Sequence, residues 1–233
     1  MTRFDKPMQL VIANKNYSSW SLRAWLYLTE AAVPFDELRI PLFTEGDWRE
    51  RILRYNPTGR LPALVDGEVR VWDSWAIIEH VRHGYDVAIG WPSDPRARGE
   101  ALSVAAEMHA GFLGVRNELP MNIRASAPGR WAKLSDGTKR DVDRIRSMWT
   151  SCLSRYGGPY LFGDTFCIAD VAYAPVASRF RTYGIELDEP SQSFVQAIFD
   201  RPAMARWCEQ ANAETERIAF IDELADDTPL NPG

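Results

Sequence analysis

The chain has 233 residues, 45% of them hydrophobic and 25% charged, with a net charge of −5 at pH 7. That is the balance of a globular protein long enough for one large domain or two small ones. It excludes a basic nucleic-acid footprint, no apolar run reaches the ~18 residues of a membrane-spanning helix, and Met1 to Pro7 lacks the apolar core of a secretory leader.

Met8 to Ala13 is short and almost wholly apolar, so it reads as a buried strand. Leu22, Trp25, Leu26 and Leu28 then follow with helical spacing. The hydroxyl cluster Ser18-Ser19-Trp20-Ser21 therefore falls at a strand-to-helix turn. Unpaired backbone N–H groups gather at such a place and favour an anion. The plainer reading is that Ser18 or Ser19 caps the helix. Pro34 to Ile40 alternates as a strand does, and Trp48, Ile52 and Tyr55 are spaced for a short helix within Thr44 to Tyr55. Asn56-Pro57-Thr58-Gly59 is a turn. Arg60 to Val65 is a strand with Pro62 near its start, the place a ladder tolerates proline. Asp66-Gly67 predicts a hairpin turn into Val69–Trp72. Asp73-Ser74 opens a helix with Trp75, Ile77, Ile78 and Val81 inward. The order is β-α-β-α-β-β-α.

Residues 85–93 read as a linker, and Asp94-Pro95 as a helix start. Everything afterwards is helical. The spacing of Ala101, Val104, Ala105, Met108, Phe112, Val115 and Leu119 predicts one long helix to Pro120. Residues 122–138 read as a mobile polar loop. Val142 to Tyr156 repeats the helical pattern until Gly157-Gly158. Ile168 to Arg181 is a helix loosened by Pro175, and Val195 to Phe199 and Ala203 to Ala211 are two more. The acidic tail, Asp226 to Gly233, reads as frayed. Cys152, Cys167 and Cys208 stand far apart, which predicts reduced thiols in a cytoplasmic protein.

This pattern resembles the cytosolic glutathione transferase superfamily over roughly residues 8 to 212. Leu61-Pro62-Ala63-Leu64 matches its cis-proline motif, Asp73-Ser74-Trp75-Ala76-Ile77-Ile78 its acid-Ser-x-Ala-Ile motif, and Phe166 to Asp170 its helical-domain capping box. Ser18 to Arg23 is similar to the serine-type zeta and tau signatures. The resemblance implies an α/β thioredoxin-like domain (βαβαββα) over 1–84 and an all-α domain over 94–233. It implies glutathione as co-substrate, a small hydrophobic electrophile, no metal and a homodimer.

The residue roles it implies are these. A cis Leu61–Pro62 bond presents backbone groups to the cysteinyl unit of glutathione beside Arg60. Ser74 and the helix start take the γ-glutamyl carboxylate, and Asp73 takes the ammonium, although an ordinary N-cap explains Asp73 as well. The Ser18 hydroxyl, with Ser19 as alternate, holds the glutathione thiolate for attack on an electrophilic carbon or a peroxide. Tyr17, Trp20, Met108, Phe112 and Arg116 wall the electrophile pocket. The sequence departs from the family twice. Cys167 stands where the box has Ser or Thr, which predicts a weaker cap. Trp20 stands where the zeta class has Cys, which counts against maleylacetoacetate isomerase activity. A zeta-like cis–trans isomerase and a non-catalytic transferase-fold module remain as alternatives. Asp170 reads as structural, and His80 and His83 as a surface pair rather than metal ligands. His109 is either a pocket or a plain helix-face histidine.

Overall fold

The computed structural model describes residues 8–44 and 46–225. The readings of Met1 to Pro7 and of the tail from Asp226 to Gly233 lie outside the described residues.

Strand β1 (Met8–Ile12) pairs in parallel with β2 (Phe35–Arg39) and antiparallel with β3 (Ala63–Asp66), which pairs antiparallel with β4 (Val69–Trp72). The four-stranded order is β2-β1-β3-β4. A central strand is covered on both faces, which is why β1 is apolar but for the half-buried Gln9. Its alternate residues serve two cores. Leu10 and Ile12 face Leu22, Trp25 and Ile77, whereas Val11 and Ala13 face Ile40, Ile52 and Leu61. The parallel β1–β2 pair needs a crossover, supplied by α1 (Ser19–Glu30). Helix α2 (Trp48–Leu53) covers the second core through Ile52. Asp66 pairs with Val69, so the loop residues of the hairpin are Gly67 and Glu68, one position beyond the expected Asp66-Gly67. Gly67 has φ +61, the left-handed value the first position of that loop requires. Helix α3 (Ser74–Gly84) completes this half.

Helix α4 (Pro95–Ala110) starts with the Asp94 carboxylate accepting from the Ala97 N–H at 2.7 Å. It stops sooner than the apolar spacing predicts. Gly111 ends it, Phe112 is left-handed with φ 59, and the short α5 (Leu113–Glu118) follows. A Cβ on Gly111 would stand 2.8 Å from the Glu107 carbonyl oxygen, so the break requires glycine. The side chains stay buried across it, from Met108 through Phe112 and Val115 to Leu119, so the periodicity ran through without a sign of the break.

The expected loop over 122–138 is also corrected. Ala127 donates to Thr182 O at 2.8 Å, Thr182 Oγ1 donates to Asn122 O at 3.0 Å, and Ala127 and Leu134 are buried. A 3-10 turn, Pro128–Lys133, lies inside it, and α6 (Asp136–Tyr156) already begins at its end. Its polar residues bond it down. Helix α7 (Ile168–Thr182) contains Pro175 and is buried almost all round. Helix α8 (Glu189–Phe199) begins a full turn or more before the expected Val195, because Asp188 accepts from the Ser191 N–H at 2.9 Å. Helix α9 (Pro202–Ala213) and the short α10 (Ala219–Asp222) finish the chain, with a 3-10 turn over Glu223–Ala225.

The halves are joined around α1 and α7. Arg23 Nε donates to Ala172 O at 3.0 Å, and Trp207 Nε1 donates to Lys15 O at 3.0 Å. Trp25, Trp149 and Trp207 are fully buried; each removes ~200 Å² from water, an upper bound of about 5 kcal/mol. Among the described residues no helix is long and apolar enough to cross a membrane.

Candidate functional site

A cleft of about 480 Å³ lies where the α/β half meets α4. One wall is the turn before β3. Asn56 Nδ2 donates to Arg60 O at 2.6 Å, and its Oδ1 accepts from the N–H and hydroxyl of Thr58, each at 2.9 Å. That buried amide ties the loop, and Gly59 at φ +68 reverses it. The loop thereby presents Arg60, Leu61 and Pro62 to the cleft, and the Leu61–Pro62 bond is cis.

The facing wall is the start of α3. Asp73 has φ 77, uncommon for a residue with a Cβ. Its Oδ1 accepts from the Trp75 N–H at 2.8 Å, and its Oδ2 stands 3.4 Å from His109 Nε2. Ser74 is buried at the first helical position. The helix N-terminus aims backbone N–H groups at the cleft and favours an anion, while the Asp73 carboxylate beside it favours a cation. A ligand bearing both charges close together fits this corner.

Trp20 and His109 close the cleft. The two rings meet edge to face at 5.1 Å, and Trp75 flanks His109 at 5.9 Å. Behind Trp20 lies a cluster of arginines. The guanidinium of Arg23 lies 4.6 Å from the Trp20 ring centre and that of Arg116 4.7 Å from it. Burial, with its neighbours Arg116 and Arg179 adding to it, lowers the Arg23 pKa well below its ordinary value. The Nη1 and Nη2 atoms of Arg23 have no hydrogen-bond partner among the described residues. Arg179 is better placed, donating to Leu119 O at 2.8 Å, Pro175 O at 3.2 Å and Ser19 Oγ at 3.2 Å.

Of the residues expected in a site, the structure gathers Trp20, Arg60, Leu61, Pro62, Asp73 and Ser74 in this cleft. Ser18 is half-buried at the N-cap of α1. It accepts from the Ser21 N–H at 3.3 Å and donates to Ser21 Oγ at 2.8 Å. Ser19 is buried and held by Arg179.

The expected electrophile wall does not form one surface. Tyr17 turns toward the C-terminal segment. Its hydroxyl donates to Asp222 Oδ1 at 2.9 Å and accepts from Arg124 Nη2 at 2.9 Å. Met108 is wholly buried and Phe112 nearly so, both in the core. Arg116 folds back to cap the broken end of α4, donating to Gly111 O at 3.0 Å and to Met108 O. Helical spacing put Met108, Phe112 and Arg116 on one face, but Met108 and Phe112 pack into the core and Arg116, past the break at Gly111, turns to the carbonyls at the end of α4.

Asn56, Thr58 and Trp72 line the cleft and were not assigned to it from the sequence; His109, left open between a pocket and a helix-face position, lines it too. The Asx-type turn in Asn56-Pro57-Thr58-Gly59 was the available signal for the first two. His80 and His83 lie on α3, paired with Asp66 at 2.8 Å and Glu79 at 3.2 Å. Burial raises the thiol pKa of Cys152 to about 12 and of Cys208 to about 11, and raises that of Cys167 as well, so none is an activated nucleophile.

Residues 17–83 match the model of the glutathione S-transferase N-terminal domain, and residues 133–210 that of its C-terminal domain. The chain belongs to the glutathione S-transferase family. It is 25% identical over 225 residues to glutathione S-transferase Z2 of Arabidopsis thaliana, covering 92% of this chain and 93% of that one. Glutathione S-transferase 1 of Dianthus caryophyllus is 25% identical over 183 residues, covering 78% and 81%. A glutathione transferase homologue from Burkholderia GL BGR1, solved with bound glutathione, shares the fold with a TM-score of 0.67 at 20% identity, covering 90% of this chain and all of that one.

Proposed function

We propose that this transferase binds glutathione in the cleft between the cis Leu61–Pro62 turn and the start of α3. The observation that carries the reading is the corner at Asp73 and Ser74. A helix N-terminus and a carboxylate with one oxygen uncommitted to the backbone stand together, matching the adjacent carboxylate and ammonium of a γ-glutamyl unit. The cis turn opposite, with Arg60, receives the cysteinyl backbone. The sulfur then lies toward the N-terminus of α1.

There the Ser18 hydroxyl is the better donor to a thiolate. It is half-buried, whereas Ser19 is buried and engaged by Arg179. To donate, Ser18 must release Ser21 Oγ, which then keeps the Ala13 N–H at 3.1 Å as its partner. A hydrogen bond and the helix N-terminus both favour the thiolate over the thiol, whose ordinary pKa is ~8.5. The thiolate, not the serine, attacks an electrophilic carbon or a peroxide. Trp20 is the cleft wall that meets the electrophile. The reading includes a cytoplasmic homodimer, supported by family analogy alone.

The test is a calorimetric titration with glutathione beside a conjugation and peroxide screen. Saturable binding with thiol-dependent turnover is the expected result. Binding without turnover on any electrophile or peroxide would favour a non-catalytic module, and silence at millimolar glutathione would remove the site altogether.

A further inference from the structure

We infer that His109 belongs to the glutathione site: its neutral Nε2 accepts an N–H from the same γ-glutamyl ammonium that Asp73 binds, so that binding expels a proton from His109. The inference rests on the reading of the cleft as the glutathione site. Asp73 Oδ1 is committed to the Trp75 N–H at 2.8 Å, which leaves Oδ2 for a ligand, and Oδ2 is the oxygen that faces His109 Nε2 at 3.4 Å. An ammonium with three N–H groups placed on Oδ2 lies within reach of Nε2. The imidazole is held for this by Trp20 and Trp75, edge to face at 5.1 and 5.9 Å.

Before the ligand arrives, a protonated His109 pairs with Asp73. An imidazolium and an ammonium then compete for one carboxylate, and the imidazolium repels the newcomer. The proton balance is one: protonated His109 plus glutathione gives neutral His109 with glutathione bound and one proton in solution. The charged groups facing the ring are Asp73 from the start of α3, Arg23 from α1 and Arg116 from α5, with Arg60 across the cleft. Burial, Arg23 and Arg116 favour the neutral ring, and Asp73 alone opposes them. The ring is therefore prepared to be an acceptor near neutral pH.

The experiment is a set of binding titrations between pH 5 and pH 7.5 on the parent, His109→Gln and His109→Ala. The ligands are glutathione and its des-amino analogue, glutaryl-cysteinylglycine. In the parent, affinity for glutathione should rise with pH, by up to about tenfold per unit below the His109 pKa, and then level off. His109→Gln keeps a neutral acceptor, so at pH 7.5 it should bind within about twofold of the parent and lose the pH dependence. His109→Ala should also be flat and bind about three- to tenfold more weakly at pH 7.5. The des-amino analogue at pH 7.5 should not distinguish the three proteins. A parent that binds glutathione with no pH dependence overturns the inference alone. So does a His109→Gln protein that keeps the dependence, or an analogue that loses as much as glutathione does. A parent that binds no glutathione at any pH overturns the site reading as well.

Discussion

Asp73 and Asp170 both stand at helix starts, in motifs of the same general kind, and the structure uses them in opposite ways. Asp170 is fully buried, and its two oxygens accept from the N–H of Leu161 at 3.0 Å and of Cys167 at 2.8 Å. Asp73 is exposed in the cleft with one oxygen on a backbone N–H and the other toward His109. A carboxylate whose oxygens are spent on its own backbone is structural. One that keeps an oxygen facing a cavity is available to a ligand. Cys167 at the head of the second box leaves intact the half that Asp170 supplies, in which the carboxylate accepts from the Cys167 N–H at 2.8 Å.

Removing the buried carboxylate should have the largest effect. Asp170→Ala leaves two buried N–H groups unpaired, each costing roughly 1–3 kcal/mol, so unfolding in urea should show a loss of about 3 kcal/mol. The pH behaviour sharpens the point. Burial, the largest cause, raises the Asp170 pKa from its ordinary 3.8 to about 6, against the pull of its two N–H donors. The folded chain thus takes up this proton before the unfolded chain does. The group's protonation-linked stability is full below pH 3.8 and is lost as pH rises through about 6. Between those values the parent should lose stability relative to Asp170→Asn, and a parent that gained would contradict the burial argument.

Asp73 should give the opposite profile, a large effect on binding and a small one on the fold. Asn tolerates φ 77 and still offers an oxygen to the Trp75 N–H, so only the charge goes. Asp73→Asn should weaken glutathione about 10- to 100-fold while the melting temperature stays within a few degrees of the parent. A variant that melts early yet binds normally would return Asp73 to the role of plain N-cap.

The hydroxyl pair is a finer version of the same contrast. Ser18→Ala should raise the thiol pKa of bound glutathione by about one to two units, the worth of a hydrogen bond to a charged group. Ser19→Ala should leave that titration alone, since its hydroxyl serves Arg179. Thiolate absorbance against pH decides between them, and movement in Ser19→Ala alone would shift the assignment by one residue.

What the sequence made legible follows from where its signals are local. The α/β half could be read because strand alternation, the proline opening β3 and the Asp73-Ser74 start are set by neighbours in the chain. The cleft residues Arg60, Leu61, Pro62, Asp73 and Ser74 were accessible for the same reason. The electrophile wall was not, because helical spacing does not say that Met108 and Phe112 pack into the core or that Arg116 turns back onto the end of α4. His109 stayed open between a pocket and a helix-face residue because the neighbours that place it in the cleft, Asp73 and Trp20, are far from it in sequence. Tyr17 was misplaced because its partners, Arg124 and Asp222, come from the other end of the chain.

The smallest expected effect is that of Arg23, one of two buried arginines behind Trp20, where satisfaction rather than charge should decide. Arg23 and Arg179 are both buried and both of their pKa values are lowered, chiefly by that burial. Arg179 spends its guanidinium on Leu119 O, Pro175 O and Ser19 Oγ, so Arg179→Met should cost about 2–3 kcal/mol through the acceptors it abandons. Arg23 spends only Nε, on Ala172 O, while Nη1 and Nη2 have no partner among the described residues. Met has a similar length and gives up one hydrogen bond and the stacking on Trp20, but it also removes the desolvation of a charge that faces two like charges and no contacting carboxylate. Replacing a buried charge by a well-packed apolar side chain is often neutral or favourable. Arg23→Met should therefore unfold within about 1 kcal/mol of the parent, with a midpoint at or slightly above it. A loss as large as that of Arg179→Met would mean that the stacked guanidinium holds Trp20 in place more strongly than its own desolvation opposes.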